Sequence, residues 1–296
     1  MTGIRKVAVI GAGVMGAGIA AHVANAGMPV LLMDIVPEGA AGRNALADGA
    51  IAKLLKTEPA AFMSPRAAKL VETLNVEDHL DRLAEVDWII EVVIERLDAK
   101  QALYRRIEAV RRPGTAISSN TSTIPLDALI AGMPEAFARD FLITHFFNPP
   151  RYMRLLEIVT GPRTDPARAA TVTDFADRRL GKSVVRCKDR PGFIANRIGT
   201  YWITCAVNEA TSLNTKAVRA AMAERGVTYM KGDWTNRNPE ITRLLEKYGR
   251  SGVPLYLLYA GTGEPQVLPQ ILTEGTVLTA LDTVPAASGR SAALAR

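Results

Sequence analysis

Of the three histidines in the 296-residue chain, one stands where a strand could present it to a substrate. His145 follows the apolar run FLIT and precedes Asn148-Pro149-Pro150, and Glu157 lies inside a second apolar run, LLEIV. A carboxylate beside an imidazole orients the ring and stabilises its charged form. Such a pair can take the proton of a hydroxyl group while hydride leaves the carbon. Spacing alone leaves a buried structural pair equally open. His22 falls inside a helical stretch and reads as structural; His79 lies in the polar run EDHLDR and reads as solvated.

A second group of residues supplies a partner for that chemistry. VAVIGAGVMGAGIA sets Gly11, Gly13 and Gly16 in G-x-G-x-x-G spacing, with Val14 and Met15 between the last two. Gly11 permits a tight turn out of a strand, Gly13 lets the backbone approach a pyrophosphate, and Gly16 lets helix and strand pack closely. The helix that opens there offers free N–H groups and a partial positive charge to phosphates. Asp34 ends the next apolar run, where a carboxylate accepts hydrogen bonds from ribose hydroxyls and repels a 2′-phosphate. No Arg or Lys follows it closely, so the expected cofactor is NAD rather than NADP. No metal is expected.

These residues need strands to hold them. Strand-like runs occupy 4–10, 30–34, 88–93, 116–119, 141–146, 155–159 and 183–187. Helical stretches over 14–26, 37–56, 97–111 and 165–180 separate many of them. The alternation predicts a doubly wound, largely parallel α/β sheet of Rossmann type, with the chemistry at strand C-terminal ends. Beyond Pro191-Gly192 a helix is expected over 193–210. A second pattern follows, with helices at 215–225, 239–248 and 274–284 and strands at 227–234, 255–259 and 266–268.

The bulk properties narrow the class. The net charge is +6, with Lys and Arg spread along the chain, so no nucleic-acid stripe is expected. Two cysteines, Cys187 and Cys205, are too few for a disulfide framework and suggest a reducing, cytoplasmic setting. No secretion leader and no membrane span is expected.

Several segments carry a family resemblance: GAGVMGAGIA, EVVIERLDAKQALY, SSNTSTIPL, THFFNPP with LLEIV, and KDRPGFIANRIGTYW. Running in order from about residue 5 to 202, they make the chain resemble the 3-hydroxyacyl-CoA dehydrogenases of fatty-acid β-oxidation. The resemblance implies oxidation of a (3S)-hydroxyacyl-CoA by NAD, with His145 as the base and Glu157 as its partner. It places Ser122 near the substrate oxygen and the nicotinamide, Asn148 along the same site, and Asn196 at the reacting region. Asp34, Glu95 and Lys100 would bind NAD, and Lys53 and Lys56 are possible stand-ins for residues that hold the CoA moiety.

From about residue 203 the chain departs from that family, which continues into a helical domain that closes the cleft and usually forms a dimer. TCAVNE, KGDWTNRNPEIT, YGRSGVPLYLLY and LPQILTEG resemble instead the C-terminal thioredoxin-like domain of membrane protein-disulfide reductases, over about 203–282. Cys205 takes the place of the second redox cysteine, but Trp202 stands where the first would be, so no disulfide-reductase activity is expected. Gly252-Val253-Pro254 keeps the loop whose proline is cis in thioredoxins. The expected layout is an NAD-binding domain over 1–188, a linking helix over 189–212, an incomplete thioredoxin-like segment over 213–284 and a flexible tail over 285–296. The usual dimer domain is absent from that layout, which leaves oligomerisation open.

Overall fold

A computed structural model describes residues 3–39, 42–232, 238–250, 254–261 and 263–286. The chain divides into two compact units, Met1–Ile194 and Ala195–Arg296.

In the first unit, β1 (Val7–Ile10) leads into α1 (Val14–Asn25), followed by β2 (Val30–Asp34), α2 (Ala45–Leu54), α3 (Pro65–Ala68) and β3 (Val71–Asn75). A 3-10 turn (Leu80–Glu85) precedes β4 (Trp88–Glu91), α4 (Leu97–Val110), β5 (Ala116–Ser119), α5 (Leu126–Leu129) and α6 (Glu135–Asp140). Then come β6 (Phe141–Phe146), β7 (Leu155–Val159), α7 (Pro166–Arg178) and β8 (Ser183–Cys187). The eight strands form one sheet in the order β3-β2-β1-β4-β5-β6-β7-β8. Every pairing is parallel except β6 with β7. Alternate residues of β1 feed opposite faces, as the pleat requires. Val7 and Val9 join a core with Ile19, Val23, Trp88 and Phe175, while Ala8 and Ile10 join one with Ile89, Tyr104, Ile117 and Phe141.

Two expectations change here. The helix expected over 37–56 begins only at Ala45, after Gly39 turns the chain with φ +71° and the Asn44 side chain, at the N-cap position, is taken up by the Thr73 carbonyl and the Asn75 amide. The strand VETLN was not foreseen; its mixed polar sequence is that of a strand at the sheet's edge, paired only with β2.

In the second unit, α8 (Ala195–Asn208) ends in a π-helical turn (Glu209–Leu213). It is followed by α9 (Lys216–Glu224), α10 (Pro239–Lys247), β9 (Tyr256–Leu258), β10 (Gln266–Leu268) and α11 (Glu274–Leu281). Leu213, Val218, Leu268, Leu272, Val277 and Leu281 form its core. Buried Asn208 joins separate parts of this unit: its amide donates to the Gln270 carbonyl at 2.6 Å, and its oxygen accepts from Leu272 N at 3.0 Å. The strand expected over 227–234 is not formed by residues 227–232, and 233 and 234 lie outside the described residues. A strand needs a neighbour for its N–H and C=O groups, and among the described residues β9 pairs with β10 alone. Gly252 and Val253 of the expected proline loop, and most of the expected tail, also lie outside the described residues. No helix among the described residues is long and apolar enough to cross a membrane.

Candidate active site

The parallel strands bring their C-terminal ends to one edge, and the glycine turn sits at the end of β1. Gly11 has φ +107°, and a Cβ there would lie 2.5 Å from the Val92 carbonyl oxygen. A Cβ on Gly16 would lie 1.7 Å from the Gly11 carbonyl oxygen, so α1 approaches the turn as closely as backbone allows. Around Gly13, by contrast, there is open space, and Val14 beside it is exposed while Met15 packs inward on the core. Asp34, at the end of β2, accepts from Ala12 N at 2.6 Å and Ile35 N at 2.7 Å, pinning the turn with a half-buried carboxylate that keeps further acceptor capacity. A tight turn, free space over a helix N-terminus and an acid at the second strand fit an NAD pyrophosphate and adenine ribose.

Beside the turn lies a buried polar cluster. Glu91, the last residue of β4, is fully buried and accepts from Lys100 Nζ at 2.6 Å, Tyr104 OH at 2.6 Å, Ser119 Oγ at 2.7 Å and Val93 N at 2.8 Å. Lys100 is only 1% exposed. Its ammonium also reaches the more exposed Glu95 at 3.3 Å. Glu95 accepts from the Thr121 and Thr123 hydroxyls. Burial works against the Glu95 carboxylate, yet the Thr121 hydroxyl, Lys100 and Thr123 hold its pKa below the ordinary value. Burial and the neighbouring Glu91 push the Tyr104 phenol well up. Glu91 escaped the sequence reading, although an acid closing the apolar strand WIIE must find partners once buried.

His145 and Glu157 face each other directly in the antiparallel register of β6 and β7. Residues opposite one another in such a pair point to the same face. The His145 Nδ1 to Glu157 Oε2 distance is 2.8 Å, with the residues 7% and 0% exposed. Glu157 Oε1 also accepts from Ile194 N at 3.0 Å. The imidazole is walled edge-on by Phe147 at 4.5 Å and Phe193 at 5.6 Å between centroids. Phe193 holds φ +43°, a region L residues rarely occupy. That turn sends its ring to His145 and the next N–H to Glu157. The Cys187 thiol, on β8, is pushed up to about 11 by burial and by Glu157.

The other candidate residues are placed as follows. Ser122 is half-buried; its carbonyl accepts from Gly192 N at 2.8 Å, and its hydroxyl has no protein partner among the described residues. Asn148 is exposed and lines a cavity of about 560 Å³ with Gly13, Val14, Lys53, Arg151 and Tyr152. Lys56 is exposed and is not part of that lining. Asn196 is exposed on α8, in the second unit. His22 is buried against the Leu180 carbonyl at 3.1 Å, and burial followed by Lys182 lowers its pKa to about 4. His79 Nδ1 accepts from Asn75 N at 3.4 Å. Among the described residues no cluster of His, Cys, Asp and Glu is arranged to hold a metal.

The family model of the 3-hydroxyacyl-CoA dehydrogenase NAD-binding domain matches residues 6–190. The chain belongs to this family. A probable 3-hydroxyacyl-CoA dehydrogenase of Deinococcus radiodurans is 51% identical over 204 residues, which cover 69% of this chain and 59% of that protein. A second, from Bacillus subtilis, is 45% identical over 220 residues, covering 70% of this chain and 28% of that protein. The chain thus spans less than two thirds of either relative. Among solved structures, 3-hydroxybutyryl-CoA dehydrogenase of Escherichia coli K12 superposes with a TM-score of 0.59 at 33% identity, covering 75% of this chain and 46% of that one. The (S)-3-hydroxybutyryl-CoA dehydrogenase of Ralstonia eutropha gives 0.57 at 27% identity, covering 83% and 94%. The 3-hydroxyacyl-CoA dehydrogenase family fixes NAD as the cofactor of the first unit.

Proposed function

We propose that the chain oxidises a (3S)-hydroxyacyl-CoA to the 3-ketoacyl-CoA, with hydride passing from C3 to NAD. The observation that carries this reading is the buried His145–Glu157 pair on the sheet that also bears the glycine turn. Bound NAD supplies the hydride acceptor. His145 takes the hydroxyl proton at Nε2, since Nδ1 is engaged by Glu157. Glu157 holds the ring in place and offsets the positive charge that forms. In reverse, protonated His145 returns the proton. Ser122 and Asn148 orient the reacting oxygen and the nicotinamide, and Glu95, positioned by Lys100, holds the cofactor. Lys53, and Lys56 beside it, attract the anionic CoA moiety. The test is a fluorescence titration with NADH followed by NADH oxidation with acetoacetyl-CoA. Absence of both would end the reading.

A second reading is NAD binding with little turnover, favoured by the departure from the family's sequence after about residue 203. NADH binding without acetoacetyl-CoA reduction would select it. For residues 203–282 we propose descent from a thioredoxin-like domain without redox activity; Cys205 being the second unit's sole cysteine supports this. Robust insulin reduction would overturn it. Two free cysteines support a reducing, cytoplasmic setting; a second unit that departs from the family's dimer-forming sequence leaves oligomerisation open, and sedimentation measures it.

A further inference from the structure

The loop between β6 and β7 carries Asn148, and it is braced from three directions. Tyr152 N and Met153 N both donate to the Pro149 carbonyl at 3.0 Å, closing the loop on itself. Arg151 and Tyr152 reach across to the Ala60 carbonyl. Pro150 packs on α1, where a Cβ at Gly18 would sit 3.0 Å from its Cδ. Beneath the loop lies Lys182, just before β8 and 2% exposed. Its ammonium donates to the Pro150 carbonyl and, at 2.8 Å, to the Met153 carbonyl, and lies 5.5 Å from the centre of the Phe146 ring. Both acceptors are neutral. The charged groups coupled to this region are themselves cationic or basic: His22 from α1 and Arg151 from the loop.

A buried ammonium without a counter-charge is expensive, and a methionine would fill similar space more cheaply. We propose that Lys182 is a positioning residue: it clamps the carbonyls of the 148–153 loop and so holds Asn148 and the cavity wall against the nucleotide-binding turn. The proposal rests on the reading that this turn takes NAD. Charge-assisted bonds to two carbonyls of one loop are about twice as strong as neutral ones, so losing the charge loosens the loop without emptying the core. Burial lowers the Lys182 pKa to about 8. The clamp therefore weakens as pH rises through that value, while the neutral amine still fills the space. His22, lowered to about 4, is silent in that range.

The test compares the wild-type chain with Lys182→Met, Lys182→Arg and the exposed control Lys69→Met. Hydrogen exchange by mass spectrometry reads the loop, and NADH fluorescence reads affinity from pH 6.5 to 9.5. In Lys182→Met, exchange should rise in the peptide spanning 147–154 and not in β1 or β4. Its NADH Kd should rise roughly tenfold, the worth of one charge-assisted bond, and lose its pH dependence between 7 and 9. Lys182→Arg should restore part of the affinity, and the control should match wild type. A folded Lys182→Met with unchanged loop exchange and unchanged NADH affinity overturns the proposal. If that variant does not fold, the wild-type profile decides: weakening affinity with an inflection near pH 8 supports the clamp, and a flat profile refutes it. Neither readout needs turnover, so an inactive chain that binds NADH would defeat the dehydrogenase reading and leave this one standing; a chain that binds no NADH would defeat both.

Discussion

Two glycines three positions apart should respond in opposite ways to the same added methyl group. At Gly16 the Cβ would lie 1.7 Å from the Gly11 carbonyl oxygen and 2.9 Å from its carbon. Widening the shorter contact to 3.0 Å needs a displacement of about 1.3 Å between α1 and the strand turn, with rigid backbone on both sides. Overpacking of this kind costs about 1–3 kcal/mol where side chains can yield, so about 3 kcal/mol or more is expected here. That is a large part of the roughly 5–15 kcal/mol that stabilises a domain. At Gly13 nothing lies within 4 Å, and φ −65°, ψ −175° is open to any L residue. Loss of the N-cap preference for glycine opposes the stabilisation that comes from a less entropic unfolded chain, so Gly13→Ala should change stability by less than about 1 kcal/mol. Its methyl nevertheless occupies the space where a pyrophosphate approaches the helix. Displacing one or two backbone-to-phosphate bonds should weaken NADH binding about 10- to 100-fold. Urea unfolding and NADH titration of both variants form the assay. A Gly13→Ala chain that binds NADH like wild type would refute the placement of the phosphates. A Gly16→Ala chain as stable as wild type would refute the packing.

Other outcomes follow from the same geometry. Glu157→Gln keeps the shape of the 2.8 Å contact but removes its charge, so kcat should fall about 10- to 100-fold, and His145→Ala should abolish turnover with NADH affinity retained; stopped-flow NADH oxidation separates the two. The His22 pKa is about 4 in the fold against 6.5 unfolded, so the unfolded chain binds the extra proton between those values. Stability should therefore fall as pH drops from 6.5 toward 4, by about 1–3 kcal/mol, and His22→Gln should lose that component in urea melts at pH 7 and 4.5. Cys187, pushed to about 11, should be alkylated slowly by iodoacetamide at pH 8 and faster as pH rises toward that value, followed by peptide mass mapping. Glu91→Leu should destabilise the first unit by about 3–5 kcal/mol, because Lys100 would keep a buried charge without its main partner.

The parts of this fold that were readable are those whose local and global demands agree. The runs over 30–34, 116–119, 141–146, 155–159 and 183–187 are strands with the bounds expected from sequence, and in 30–34, 141–146 and 155–159 most residues are apolar and buried. VETLN was missed because an edge strand alternates like a surface segment. The reversal of β7 was also hidden, since nothing in LLEIV encodes direction; loop 147–154 turns the chain back instead of crossing over. At the site, the glycine spacing, Asp34, His145 and Glu157 stand out by residue type. Glu91, Thr121, Phe193 and Lys182 do not, because their roles depend on partners distant in sequence: Tyr104 and Ser119 for Glu91, the ring of His145 for Phe193, and two loop carbonyls for Lys182. In the second unit the sequence pattern favours a strand over 227–234, but a strand is a property of two segments, and among the described residues of this unit only β9 and β10 pair.

The direction of β7 also bears on how the site assembles. His145 and Glu157 are separated by only 12 residues, whereas Asp34 meets Ala12 across 22 and Ser119 meets Glu91 across 28. Loop-closure entropy grows with the logarithm of separation, and adjacent antiparallel strands need no crossover helix. The imidazole and its acid are thus brought opposite one another by the shortest return path in the first unit's sheet. The nucleotide edge depends on strands 1, 2, 4 and 5 aligning across longer separations. Spacing between His145 and Glu157 is then a local property of residues 141–159.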